Sequence, residues 1–249
     1  MIKVLIRADD LGYSEGVNYG IAKSVKEGLI GSVGVMTNTT AVEHGLKLLE
    51  GKEVCLGQHT NICVGRPLTD PARIPSLTTA SGEFKPSSVY RSATEDFVVL
   101  DEAILEIEAQ YRRFVELTGR QPGYFEGHAV ASDNFFRGLE IVAKRHGLKY
   151  SGMSFGEKPI VVEQTEVYVT MDSMKKDYNP EQSLKDMVNR ARDGECHMFI
   201  CHPGYLDWYI LTHSSMTTPR PQEVDMLCNP AVRRWLKEKG VEQITYDDL

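Results

Sequence analysis

The chain lacks a paired-cysteine motif, a long apolar run, a block of positive charge and a glycine fingerprint for a dinucleotide. Each absence removes a class of protein. The five cysteines, Cys55, Cys63, Cys196, Cys201 and Cys228, are odd in number, and no C-x-x-C occurs. That argues against a zinc site of paired cysteines and against a secreted disulfide framework. The expected state is buried thiols in a reducing cytoplasm. No stretch approaches the roughly 20 apolar residues of a membrane span. The opening MIKVLIRADD carries one short apolar run ended by two aspartates, without the longer run and cleavage site of a signal peptide. With 28 Lys and Arg against 35 Asp and Glu, the net charge is −7 and no basic run appears. Nucleic acid and membrane are therefore not expected partners. Repeats, low-complexity segments and dividing linkers are also missing.

What is present is an alternation of short apolar runs and amphipathic stretches across 249 residues with 41% hydrophobic content. Strands are predicted at 2–8, 32–36, 54–58, 124–127, 149–153, 160–171, 197–201 and 241–246. Helices are predicted at 15–29, 41–50, 94–118, 134–146, 180–193 and 229–239. Ser14 suits a helix N-cap and Gly28 a helix end, while Gly119 and Pro122 stop the long helix. Residues 64–93 hold four prolines and little periodicity. They read as a loop inserted over the active-site face. Alternating β and α elements predict one α/β domain over 1–249, a closed or incomplete β/α barrel with mostly parallel strands. An open doubly wound sheet is the alternative, although no G-x-G-x-x-G follows the first strand.

In parallel β/α folds the site lies at the C-terminal strand ends. Four such ends carry chemistry: Asp9-Asp10, His59, His128 and His202, the last followed by Pro203-Gly204. An aspartate and two histidines form a mixed N/O set that binds a divalent ion and leaves positions open. Taken singly, each has a plainer reading. Asp9-Asp10 would cap a helix or pair with a lysine, and a lone strand-end histidine is usually structural. The argument lies in their shared edge. Adjacent strand residues point to opposite faces, so Asp9 and Asp10 serve one site only where the chain is already turning. Glu126 shares a face with His128 and suits a partner that orients an imidazole. Asp133 and Asp207 also lie near candidate positions. Tyr205, Trp208 and Tyr209 follow the HPG turn and suit either sugar stacking or a core. His44, His146, His197 and His213 read as structural or solvated.

These residues also carry a resemblance. ADDLGYSEGVNYGI resembles the ADDFG-x-S-x-x-x-N opening of the YdjC-like carbohydrate deacetylases, which include the chitooligosaccharide deacetylases. LGQHTNICVGRPLT is similar to their G-x-H and G-x-P-L-T segments, and FICHPGYLD to their C-H-P segment. PRPQEVDML and GVEQITYDDL match the family's closing character. PGYFEGHAV falls where the family has D-S-H-H-H-V-H, but only the first of those histidines is kept here, and Glu126 replaces an aspartate. The resemblance implies a barrel-like fold and removal of an N-acetyl group from an amino sugar, such as a chitooligosaccharide or a plain or phosphorylated diacetylchitobiose. It implies Asp10, His59 and His128 as metal ligands, Asp9 as general base and His202 as the acid for the departing amine. Tyr205, Trp208 and Arg220 would contact the substrate. The expected ion is Mg²⁺, with Zn²⁺ or Mn²⁺ as alternatives. A homodimer is the base-rate expectation. Two rival readings stand beside this one. A glycosidase would use carboxylates among Asp9, Asp10 and Glu126, leaving the histidines idle. A non-catalytic sugar-binding protein would explain the thinned histidine segment.

Overall fold

Alternation along strand β1 (Lys3–Leu11) sends Val4, Ile6 and Ala8 to one face and Leu5, Arg7 and Asp9 to the other. In the computed structural model, which describes residues 1–153 and 158–249, the first set packs against the surrounding helices. Leu5 instead joins an inner cluster with Tyr124, Met198, Ile200 and Tyr246. Helix α1 (Glu15–Lys26) starts where Ser14 accepts the Val17 N–H, and it buries Val17 and Ile21. Strands β2 (Ser32–Val35) and β3 (Cys55–Thr60) are buried throughout and flank helix α2 (Val42–Leu48).

Helices α3 (Ser87–Ser92) and α4 (Leu100–Thr118) precede β4 (Tyr124–Gly127), α5 (Asp133–Arg145) and β5 (Lys149–Tyr150). The strands β6 (Ile160–Val162) and β7 (Thr165–Thr170) lead to α6 (Pro180–Arg190) and β8 (Cys196–Cys201). Helices α7 (Trp208–His213), α8 (Pro219–Cys228) and α9 (Pro230–Glu238) come before β9 (Glu242–Ile244). The sheet order is β5-β4-β3-β2-β1-β8-β7-β6, with β9 on β1 as well. β9 pairs with Lys3–Leu5, while β2 pairs further along β1, so the two share one side of that strand end to end. Among the described residues every pairing between these strands is parallel except β6–β7. The result is a single α/β domain with a nearly closed, mostly parallel barrel.

Several elements differ from expectation. The run 160–171 is a hairpin, not one strand; Glu163 takes φ 54° at its turn. The strand expected over 149–153 stops at Tyr150. Helix α4 begins at Leu100 because Asp96 accepts the Val98 N–H and fastens to Ser132 and Asn134, a local alternative to helix. Gly119 ends that helix at φ 69°. Residues 64–93 are not structureless. They form a short 3₁₀ turn at Pro71–Arg73, a Thr78–Phe84 bridge and α3. Ile74, Leu77, Phe84 and Tyr90 pack with Ile107 and Phe135 into a second core. Glu106, fully buried on α4, accepts the N–H groups of Leu68 and Thr69 and pins the start of this segment.

Candidate metal centre

The strand does not end at Asp9. It bulges. Ala8 pairs with Val33 and Leu11 with Val35, so Asp9 and Asp10 together oppose Gly34. Asp10 takes φ 77°, a left-handed conformation. A bulge re-aims side chains, and here it brings two consecutive carboxylates to one site. Gly34 makes room for them: a Cβ there would lie 2.8 Å from Glu126 Oε1, 3.0 Å from His59 Cβ and 3.3 Å from Asp9 Oδ1.

Asp10, His59 and His128 converge. Asp10 Oδ1 lies 3.1 Å from His59 Nε2 and 3.1 Å from His128 Nδ1, and the two ring nitrogens are 2.9 Å apart. These three donors lie close enough together for one divalent cation, and a mixed set of two imidazoles and one carboxylate would leave positions open for water and substrate.

Electrostatics support the same fit. Burial and Arg220 act in opposite directions on Asp10, and the cation wins, holding this carboxyl well below the usual range. Burial disfavours charge on both rings, yet Glu126 and Asp9 hold His59 well above its ordinary value, and Asp10 pushes His128 up to about 9. Glu126 Oε1 is 2.5 Å from His59 Nδ1 and fixes the ring so that Nε2 faces Asp10.

A second group, Asp9, His59 and Glu126, also has its donor atoms close together. Arg7 already neutralises it. The Arg7 guanidinium donates to both oxygens of Asp9, at 2.7 and 2.8 Å, and lies 3.5 Å from Glu126 Oε2. It also donates to the Tyr246 hydroxyl at 2.9 Å. Burial would raise the Asp9 carboxyl, but Arg7 and the nearby His59 lower it instead.

His202 stands alongside, its Nδ1 3.2 Å from Ser173 Oγ and its backbone N–H donated to Glu223 at 2.5 Å. Burial drives its imidazole down to about 4. Tyr13 meets His128 edge to face with centroids 5.8 Å apart, and Tyr209 meets Tyr13 in the same way at 5.9 Å. Trp208 projects from the start of α7, 76% exposed.

Tyr205 and Arg220 both lie beside the turn that follows β8, where the Gly204 N–H donates to the Arg220 carbonyl at 3.3 Å. Tyr205 donates its backbone N–H to the Gly16 carbonyl at 2.9 Å, in the first turn of α1, and with Lys23 and Glu27 it lines a groove of about 490 Å³ along that helix. Arg220 is buried behind Asp10, its Nη2 2.8 Å from Oδ2. The remaining histidines have partners of their own: His44 with Asn18, His146 with Glu108, His197 with Glu195 and His213 with Tyr209. Asp133 lies in the first turn of α5, and Asp207 caps α7. Sequence reasoning missed Arg7, Gly34, Ser173 and Glu223. Only Arg7 left a signal, a charged residue inside an apolar strand two positions before Asp9.

The chain is thus an α/β barrel built around a candidate metal centre at its C-terminal strand edge. Comparison then supplies the family. The YdjC-like protein family matches residues 3–238, and the chain belongs to it. A carbohydrate deacetylase of Geobacillus stearothermophilus is 31% identical, with 98% of this chain and 97% of that protein covered. A chitooligosaccharide deacetylase of Citrobacter koseri is 26% identical, covering 99% and 98%. Among solved structures, an Enterococcus faecalis V583 protein described as a candidate for cellobiose-phosphate cleavage superimposes with a TM-score of 0.85. It is 21% identical, with 99% of this chain and 98% of that one covered. No helix among the described residues is long and apolar enough to cross a membrane.

Proposed function

We propose that this protein is a divalent-metal N-deacetylase that releases acetate from an acetylated amino sugar, a chitooligosaccharide or a plain or phosphorylated diacetylchitobiose. The observation that carries the reading is the convergence of Asp10, His59 and His128 to about 3 Å, with Asp9 and His202 beside them. The names of the relatives support the same chemistry.

Asp10, His59 and His128 would hold the ion, which when bound polarises the acetyl carbonyl and acidifies water. Asp9 is anionic at rest and takes the proton of the attacking water. Arg7 holds that carboxylate in place, and its oxygens keep lone pairs free. His202 is neutral at rest, so the proton it passes to the departing amine is the second proton of that water, while the first stays on Asp9 and is lost to solvent after acetate leaves. Trp208 and Tyr209 offer aromatic faces to the sugar on the open side. Two imidazoles suit Zn²⁺ or another first-row transition ion better than Mg²⁺ by affinity.

Acetate release from diacetylchitobiose and its 6-phosphate is the direct test. Turnover that chelator abolishes, that added divalent ion restores, and that His59→Ala loses together with bound metal is the expected result. Turnover unaffected by chelator would overturn the metal reading and return the glycosidase alternative. Sugar binding without any acetate release would favour a binding protein.

A further inference from the structure

Arg220 is 2% exposed and its guanidinium is committed on three sides. Nη2 donates to Asp10 Oδ2 at 2.8 Å, Nη1 to the His202 carbonyl at 3.3 Å and Nε to the Met216 carbonyl at 3.0 Å. The Tyr13 ring covers it, with the guanidinium carbon 5.6 Å from the centroid. A planar fork held in this way has no freedom to swing toward substrate. Asp10 is equally fixed, since its backbone sits in the bulge at φ 77°. Its two oxygens face different neighbours: Oδ1 the two imidazoles, Oδ2 the arginine.

We propose that Arg220 is a positioning residue that reserves Oδ2 of Asp10, so that this carboxylate meets the cation through Oδ1 alone. The inference rests on the reading of Asp10, His59 and His128 as metal ligands. Its chemical consequence is an additional open position on the ion, because a carboxylate free at both oxygens can occupy two. The same guanidinium grips the His202 carbonyl. It therefore holds the ligand carboxylate and the proton-carrying imidazole in one fixed relation, although they come from opposite ends of the chain. Near-attack geometry depends on such fixed separations.

The decisive experiment is a crystal structure of the wild-type protein soaked with Mn²⁺, together with visible spectra of Co²⁺-loaded wild type, Arg220→Lys and Arg220→Met. The structure is expected to show one Asp10 oxygen on the ion and the other still on Arg220. The Lys variant, which keeps a cation to pair with Oδ2, is expected to keep the wild-type Co²⁺ spectrum. The Met variant is expected to bind one ion per chain with an altered spectrum and at least tenfold lower turnover. Both Asp10 oxygens on the ion, or a Met variant with the wild-type spectrum, would overturn the proposal and leave the metal site standing. An ion bound elsewhere in the wild type would overturn both. If the Met variant does not fold, the wild-type crystal structure decides alone.

Discussion

Gly34 contributes no donor atom, yet the convergence of Asp9, His59 and Glu126 beside Asp10 depends on the space it leaves. Its backbone is not in the left-handed region, so the requirement is for space alone. A methyl group there would press on Glu126, His59 and Asp9 at once, all of them buried side chains fixed by hydrogen bonds. Gly34→Ala should fold, because the crowding falls at one point of the barrel, and should bind divalent ion at least tenfold more weakly. Equilibrium dialysis beside far-UV circular dichroism checks both halves. Glu223 offers a separate test. Burial outweighs the His202 N–H and the Tyr178 hydroxyl and pushes its carboxyl up to about 7 from an ordinary 4.5. Between those values the folded chain holds a proton that the unfolded chain has lost, so stability falls as pH rises through that window. At about 1.4 kcal/mol per unit the full effect is about 3 kcal/mol. Glu223→Gln can still accept from His202 and donate to Tyr178. It should therefore gain on the wild type by about 2.5 kcal/mol between pH 5 and pH 8. Urea titrations of metal-free protein at both pH values measure this, and an unchanged difference between the proteins would refute it.

Elements with a clear period could be read from the sequence; those fixed by one side chain could not. The strands at 3–11, 55–60, 124–127 and 196–201 were legible as apolar runs, and their C-terminal ends marked Asp10, His59, His128 and His202. The bulge that lets Asp9 and Asp10 share a site was not, because it depends on pairing with Gly34 across the sheet. The roles of Arg7 and Arg220 were hidden for a similar reason: Arg220 meets Asp10 across 210 positions. Helix α7 is only six residues long, too short to show a period. Its cap explains its existence. Asp207 accepts the Ile210 N–H through one oxygen and the Gly16 N–H through the other, both at 2.9 Å. One carboxylate thus starts α7 and ties it to the first turn of α1. Asp207→Ala should cost about 1–2 kcal/mol of stability. Since Trp208 and Tyr209 ride on α7, KM for the sugar should rise several-fold while kcat changes little. Steady-state kinetics and chemical denaturation test the two effects, and a fall in kcat alone would contradict the placement of α7 at the substrate.

For the molecule as a whole, ion binding and folding are expected to be coupled, because the three donors come from β1, β3 and the end of β4 and meet only in the folded barrel. An ion at a hundredfold excess over its Kd adds about 2.7 kcal/mol to stability, which for a chain of this size raises Tm by about 5–10 °C. The sign of the pH dependence follows from the imidazoles. His128 is pushed up to about 9 by Asp10, so below that pH the metal-free ring holds a proton that the ion must displace. Apparent affinity should fall about tenfold per pH unit for each proton displaced as the solution is acidified. At a fixed ion concentration the rise in Tm should be larger at pH 8 than at pH 6, and His59→Ala should show none at either. Scanning calorimetry with and without divalent ion decides the matter. A pH-independent rise that persists in His59→Ala would place the ion elsewhere on the protein, whereas a rise confined to the wild type and growing with pH would tie folding, protonation and metal to the same three side chains.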